Sequence, residues 1–510
     1  MRKLLKFLTG RLFISIVLVI FQIDVLVRVL GYAKNDSLWI QIFSTFSIVM
    51  ALFVVTRDLN PAYKIGWMLI FMVIPLYGGI FYILFGNRKM SVVLKRWFHE
   101  YNELHKKGME KVPVHDGLPM KALTSYDPNL ARQGQYISNI SGFPLWCNTE
   151  VQYFALGEDW VLDVLEELKK AKNFIFLEFF IIGMGEVWDA ILAILLEKKN
   201  EGVTIFIMFD DVGSIVNVPS HYERKLRSLG FETIAFNPMR AHLNSRLNSR
   251  DHRKVLVIDG NVGYTGGVNI ADEYANRKVS YGHWKDTAVK LKGDAVWNLT
   301  LMFLQLWSFS NHRSYDFSLF RPTYSGKTDG FVQPFADNPL DNQNVAENAY
   351  IQIISMAKDY VWITTPYLVL DNEMITALKI AAQSGVDVRI ITPHMPDKWY
   401  VFAVTRDNYK VLLEAGVKIF EYTPGFIHAK MFVSDDKVAI IGTINMDYRS
   451  FYLHFENGVL FYGSSVIQTV REDIEQTLDV CQEITMEYLY SIPFYKKLMG
   501  TALRLTAPLL

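Results

Sequence analysis

The sequence predicts an α/β protein in which N-terminal transmembrane helices precede two duplicated α/β/α lobes that share one central active site. Three observations predict it. Long uncharged apolar stretches crowd the first ninety residues, a strand–helix–strand pattern occurs twice after residue 130, and one polar constellation repeats in the same register in both copies. The expected division is an apolar segment over 1–36, a helical hairpin over 37–90, a linker over 91–130, and lobes over 131–320 and 321–510.

The N-terminal prediction rests on charge and length. Residues 65–86 contain no charged side chain, are long enough to cross a bilayer as a helix, and carry Pro75 as a kink. Residues 38–56 are also uncharged, and the short connector from Arg57 to Lys64 pairs the two as a hairpin. The earlier stretch 12–30 is interrupted by Asp24 and Arg28, one turn apart, so spanning and interfacial placements both stay open. No small-residue cleavage site follows the first apolar run, so the anchor is expected to stay attached. Arg88, Lys89, Lys95 and Arg96 outnumber Arg57 and Lys64, which places the lobes in the cytoplasm of a plasma membrane. The basic start (Arg2, Lys3, Lys6, Arg11) conflicts with that orientation if residues 12–30 also cross.

Composition narrows the partners. The chain of 510 residues is 51% hydrophobic and has 52 basic against 52 acidic side chains, so no overall field recruits nucleic acid. Cys147 and Cys481 are the only cysteines and have no metal-ligand spacing, which implies neither a disulfide framework nor zinc, and fits a reducing compartment.

In the first copy the strand 174–182 is followed by the helical stretch 188–202 and the strand 203–210; in the second, 360–368 is followed by 373–385 and 386–393. Gly202 and Gly385 end the two helices, where a left-handed cap is expected. Each copy then supplies another strand, 231–236 or 417–422, before a hairpin that carries the polar residues.

The first hairpin reads His252-Arg-Lys254, then Asp259, then Gly266-Gly267-Val-Asn269. The second reads His428-Ala-Lys430, then Asp435, then Gly442-Thr443-Ile-Asn445. His and Lys two apart on a strand project from one face, so each pair points into the same cleft. Asp259 has the opposite parity and stands in an Asp-Gly turn signal, which favours turn fixing over proton transfer, and Asp435 follows by analogy.

This duplicated His-Lys-Asp signature resembles that of the phospholipase D superfamily over nearly all of residues 140–480. The flanking text RLNSRDHRK, LLEAGVKIFEYTPGFIHAK and NMDYRSFYLHFENG resembles the bacterial cardiolipin synthases. Gly442-Thr443 departs from the family's usual Gly-Ser, and the segment 12–30 is additional. The resemblance implies His252, Lys254, Asp259, His428, Lys430 and Asp435 as catalytic residues. His252 would be the nucleophile and His428 the general acid and base, an order that the equivalent motifs leave open locally. Asn269, Asn445, Asp286 and Glu456 complete the expected substrate site. The resemblance further nominates Glu456 as the carboxylate supporting the imidazole of the second half, and Asp286 that of the first.

The implied reaction is phosphatidyl transfer from one membrane phosphatidylglycerol to another, giving cardiolipin and glycerol through a phosphohistidine, without cofactor or metal. The motif leaves open whether water or an alcohol resolves the intermediate. A phospholipase D hydrolase and a phosphatidylserine synthase-like transferase are the same-class alternatives, and a silent membrane scaffold is disfavoured by the intact motifs. Arg246, Arg250 and Arg253 are candidate phosphate contacts, with a solvated loop as the alternative. The stretch 297–307 reads as a core helix before a bilayer contact, and PFYKKLMGTALRLTAPLL mixes basic and apolar residues in a way compatible with lying on the membrane.

Overall fold

The computed structural model describes residues 38–57, 60–73, 78, 79, 82, 86, 102, 103, 117–238, 249–313, 315–341 and 343–506. The N-terminal residues through Lys89 belong to one compact unit, and the residues described from Leu118 to Arg504 belong to another.

In the N-terminal unit, helices Leu38–Val55 and Pro61–Val73 pack around Val54, Tyr63, Trp67, Phe71 and Tyr82. The rings of Trp67 and Tyr82 meet edge to face at 5.1 Å. No helix among the described residues is long and apolar enough to cross a membrane. The first helix, 18 residues long, rises about 27 Å, short of the ~30 Å hydrocarbon layer. Within the expected span 65–86 the first helical stretch is continuous to Val73, Gly78 and Gly79 are again helical, and Tyr82 and Gly86 take π-helical conformation. The stretch 12–30 and the basic residues 88–96 lie outside the described residues.

The larger unit is a duplication. Its first sheet contains β1 (Thr149–Phe154), β2 (Phe174–Phe179), β3 (Thr204–Asp210), β4 (Glu232–Phe236), β5 (Lys254–Ile258), β6 (Val262–Gly266) and β8 (Ala288–Gly293), with β7 (His283–Lys285) lying outside it. The order across the sheet is β1-β8-β6-β5-β2-β3-β4. The second half supplies β9 (Phe331–Asp337), β10 (Tyr360–Thr364), β11 (Leu368–Val369), β12 (Asp387–Pro393), β13 (Lys418–Tyr422), β14 (Gly425–Ile427), β15 (Met431–Ser434), β16 (Val438–Gly442), β17 (Met446–Asp447), β18 (Glu456–Tyr462) and β19 (Cys481–Ile484). Its main sheet runs β9-β18-β16-β15-β10-β12-β13-β19, the order of the first sheet with one strand added at the edge. Within each sheet the crossover strands (β2, β3 and β4; β10, β12 and β13) are parallel and the hairpin strands antiparallel. Gly202 and Gly385 take φ of +94° and +96°, the left-handed geometry expected after the two crossover helices.

One continuous apolar core joins both lobes. Its centre is the helix Val296–Asn311, whose Trp297, Leu299, Leu301, Met302 and Phe303 are fully buried. Phe303 stacks on Phe176 of β2 at 4.3 Å, so this segment is a core helix and no bilayer contact.

The linker expectation needs correction near its end. Leu118–Tyr126 and Pro128–Ser141 are helices, the second capped by Asp127, whose Oδ1 accepts from the Asn129 amide at 2.9 Å. They pack on the second half: Gln133 Nε2 donates to the Ala349 carbonyl and Gln333 Nε2 to those of Gly134 and Phe143, each at 3.0 Å. Short, largely polar surroundings hid a buried Leu123 and Ile137.

Asp259 and Asp435 close the β5–β6 and β15–β16 turns at φ of +52° and +53°. Asp259 accepts from the backbone amides of Lys172, Asn173 and Phe174, and Asp435 from those of Lys358, Asp359 and Tyr360. Each carboxylate thus holds the entry to the neighbouring strand. Each also lies five residues beyond the motif lysine, roughly 16 Å along the strand. Their listing as catalytic is therefore corrected, and their turn role stands. Losing three hydrogen bonds at once predicts that Asp435→Ala loses about 2 kcal/mol of stability, seen as a lower Tm, with little change in turnover per folded molecule. A normal Tm with lost turnover would contradict this placement.

Candidate active site

The two motifs meet because each half pairs with the segment leading into the other half's carboxylate. In one direction the His252 amide donates to the Phe455 carbonyl at 2.9 Å, and the Phe455 amide to that of Arg250 at 2.8 Å. In the other, β14 pairs in parallel with β7, and the His428 amide donates to the Lys285 carbonyl at 2.7 Å. Glu456 follows Phe455 and Asp286 follows Lys285, so both carboxylates are delivered across the lobe boundary.

His252 Nδ1 lies 3.0 and 2.9 Å from the Glu456 oxygens, and His428 Nδ1 lies 2.6 Å from Asp286 Oδ2. A carboxylate can only accept, so Nδ1 carries the proton in both rings and Nε2 keeps its lone pair. The sequence-based assignment had each carboxylate serving its own half and binding substrate; the structure crosses them and commits them to the imidazoles. Their equivalence is visible in register. Gly266 pairs with Ala288 and Gly442 with Gly458, and the carboxylates stand two residues before Ala288 and Gly458.

The surroundings set the charge states. His252 packs edge-on to Phe180 at 5.0 Å, and His428 lies among Tyr274, Trp284 and Phe426. Burial pushes His252 down to about 3 against the pull of Glu456, and His428 down to about 4 with Lys430 adding to the shift. Both rings are therefore neutral at pH 7 in the empty site. Burial opposes ionisation of Glu456 and Asp286, yet the partner imidazoles hold both carboxyls below the ordinary range.

Lys254 and Lys430 are buried, and each Nζ donates to the carbonyl of its own motif histidine, Lys254 at 2.6 Å. Burial lowers them to about 8 and about 7, and both carboxylates act on each lysine. Asn269 Oδ1 accepts from the Ile181 amide at 3.0 Å. Asn445 Oδ1 is buried without a hydrogen-bond partner among the described residues, a polar group available to a ligand.

The structure explains the Gly-Thr departure. Thr443 Oγ1 donates to Glu456 Oε2 and accepts from the Asn457 amide at 3.0 Å. At the equivalent Gly267 a Cβ would stand 2.0 Å from Asp286 Oδ1, so glycine is needed there to admit that carboxylate.

Arg250 and Arg253 are not phosphate contacts. Arg250 pairs with Asp210 at 3.3 Å and donates to the Asn237 carbonyl, while Arg253 pairs with Glu178 at 2.7 Å and with Asp251 at 3.4 Å. Asp210 and Glu178 come from β3 and β2, far away in sequence, so local text showed only clustered charge. Arg246 lies outside the described residues.

His454 is a site residue that the sequence reading missed. Its ring centre is 5.6 Å from that of His252, its Nδ1 is 3.7 Å from Glu456 Oε1, and neither ring nitrogen has a hydrogen-bond partner among the described residues. Its two-residue spacing from Glu456 was the available signal. Ligand atoms of His252, His454 and Glu456 lie within 4.8 Å of one another, a grouping that could hold a metal ion and that linear spacing did not reveal. In this structure the Glu456 oxygens are taken up by His252 and Thr443.

Two outcomes follow from this geometry. Gly267→Ala displaces Asp286 and should cut turnover by about 100-fold or more while leaving the lobes folded; near-normal turnover would contradict the contact. Because the folded values of both histidines lie below the ordinary 6.5, the unfolded chain takes up their protons first. Their contribution to stability is full above that pH and drains as pH falls toward about 4. Thermal unfolding across this window should show a shallower acid slope for His428→Gln than for wild type, and an unchanged slope would count against burial of a neutral ring.

The comparisons agree with the motifs. A family described as "Cardiolipin synthase, PLD-like domain" matches residues 164–286 and 350–478, and one described as "Phospholipase_D-nuclease N-terminal" matches residues 46–87. A cardiolipin synthase of Halalkalibacterium halodurans is 32% identical, covering 92% of this chain and 94% of that protein. One of Geobacillus kaustophilus is 34% identical, covering 96% and 99%. The crystal structure of phosphatidylserine synthase from Haemophilus influenzae shares the fold, with a TM-score of 0.57 at 14% identity over 74% of this chain and 100% of that one. The duplicated motif, the crossed imidazole–carboxylate pairs and these full-length relatives together place the chain in the cardiolipin synthase family of phospholipase D-like enzymes.

Proposed function

We propose that this enzyme transfers a phosphatidyl group from one phosphatidylglycerol to the glycerol hydroxyl of another, giving cardiolipin and glycerol. The observation that carries the mechanism is the pair of buried neutral imidazoles, each anchored through Nδ1 to a carboxylate of the opposite half. With Nδ1 protonated, His252 Nε2 has the lone pair needed to attack phosphorus. The new P–N bond forms as the P–O bond to the departing glycerol breaks, and His428 supplies the proton that makes this oxygen a leaving group.

The proton on His428 is supported by Asp286, and an incoming phosphodiester anion offsets the charge of Lys430 that otherwise opposes it. In the second half-reaction His428, now neutral, removes the proton from the acceptor hydroxyl. That oxygen attacks phosphorus and the P–N bond breaks, returning His252. One phosphodiester replaces another, so the exchange is reversible. Lys254 and Lys430 hold nonbridging oxygens, with Asn269 and Asn445 as further polar contacts. The resemblance to the superfamily assigns His252, of the first motif, as the nucleophile.

The N-terminal hairpin is assigned to the membrane, where a second lipid with a free hydroxyl is abundant beside the cleft. Ile48, Val49, Leu52, Ile65 and Met72 are exposed on its helices, apolar surface that lipid would cover. The basic cluster at Arg88, Lys89, Lys95 and Arg96 assigns the lobes to the cytoplasmic side of a bacterial plasma membrane.

Purified protein given phosphatidylglycerol alone should release cardiolipin and glycerol in equal amounts. Phosphatidic acid and glycerol would show a hydrolase, and no product a silent scaffold. Either His252→Ala or His428→Ala should abolish turnover, whereas a half-rate in each single variant would mean two independent sites. A cysteine introduced near residue 100 should resist an impermeant reagent in intact cells; its modification would reverse the orientation.

A further inference from the structure

The helix Phe494–Thr506 touches the helix Trp399–Leu413. A Cβ at Gly500 would meet the Ala403 carbonyl oxygen at 2.8 Å, Thr501 Oγ1 donates to Asp407 Oδ1 at 2.9 Å, and Arg504 pairs with Asp407 at 3.3 Å. The two helices thus meet where Gly500, Thr501 and Arg504 face Ala403 and Asp407. Small residues on the packed face let the helices close while the large ones point away. Trp399, Tyr490, Phe494, Tyr495 and Leu498 are 62, 65, 77, 66 and 59% exposed. Residues 488–506 contain Lys496, Lys497 and Arg504 and no acidic side chain.

A chain of contacts leads from Trp399 toward the active site. Lys398, next to Trp399, donates to Tyr367 Oη at 2.9 Å; the Tyr367 ring lies 6.5 Å from Phe426, and Phe426 stacks on His428 at 5.9 Å. Large aromatic side chains beside lysines suit the bilayer interface, where rings occupy the headgroup level and lysine stems bury against apolar surface with their charge at anionic phosphates.

We propose that the exposed aromatic and lysine side chains of these two helices form a docking platform for an anionic lipid surface, which sets the mouth of the cleft on the bilayer so that a headgroup phosphodiester reaches His428 and His252 without leaving the membrane. The proposal rests on the reading of the substrate as a lipid and adds the surface through which the lobes meet it. Because the N-terminal hairpin is itself assigned to the membrane, vesicle capture alone does not test it, and depth at a chosen residue does.

The full chain, with Cys147 and Cys481 replaced by serine, carries one new cysteine labelled with a polarity-sensitive dye and is reconstituted in vesicles of phosphatidylglycerol and phosphatidylcholine. The quencher is a nitroxide attached to lipid near the headgroup. Leu498→Cys is the test position. Leu319→Cys is the control, since Leu319 is 74% exposed and adjoins Phe320, whose carbonyl oxygen lies against the Gly260 turn at the strand end remote from His252. Quenching several-fold stronger at 498 than at 319 is expected. Equal quenching at the two positions, strong or weak, overturns the proposal. Reversing both Lys496 and Lys497 to Glu should also raise the half-saturating surface density of phosphatidylglycerol roughly tenfold, and an unchanged density would remove the electrostatic part. The quenching measurement needs no turnover, so a failure of the assigned reaction would be seen separately in the product assay.

Discussion

Two buried hydrogen bonds cross between the lobes, Glu456 to His252 and Asp286 to His428, and the rest of the catalytic architecture is arranged around them. A neutral imidazole with a free Nε2 is a competent nucleophile only when something fixes its tautomer. The something is a carboxylate, and a carboxylate at this depth is tolerable only with hydrogen bonds to satisfy it. Placing each acid on the opposite half makes the active site a property of the pair of lobes. Neither half alone contains a supported histidine. Backbone pairing of residues 250–252 with 455, and of β14 with β7, makes the crossing a consequence of strand register.

The ends of each motif strand divide the work. At one end His and Lys face the cleft, and at the other an aspartate in a left-handed turn collects three backbone amides. Beneath the first motif a second layer of buried charge links β2 and β3 to the segment entering His252. Burial drives the Glu178 carboxyl well upward and that of Asp251 to about 6, while the neighbouring arginine opposes both shifts. Pairing with Arg253 and Arg250 keeps this layer ordered, at the cost of making it intolerant of losing one partner.

What the sequence revealed was whatever depends on local spacing. His-x-Lys on a strand, the turn at Asp259, the glycine caps and the repeated strand–helix order all follow from periodicities of two and 3.6 and from φ constraints, and the two copies read alike because their sheets share one order. What stayed hidden depends on docking. Register inside one half cannot say that Glu456 serves His252 or that His454 comes within reach of that ring, and the pairing of Arg253 with Glu178 needs β2 docked beside the first motif. The helix at Leu118–Tyr126 was missed because its surface is polar and its burial is supplied by a partner.

The crossing is the central claim, and single-turnover trapping on a phosphodiester with a phenolic leaving group tests it most directly. Such a leaving group needs little protonation, so the first step depends on the nucleophile and its support but hardly on the acid. Asp286→Asn should then behave like His428→Ala and still form an acid-labile phosphoenzyme on residue 252, while Glu456→Gln should behave like His252→Ala and form little. If Asp286→Asn instead abolished the intermediate and Glu456→Gln spared it, with phosphate on residue 252, the carboxylates would serve their own halves and the account would be wrong.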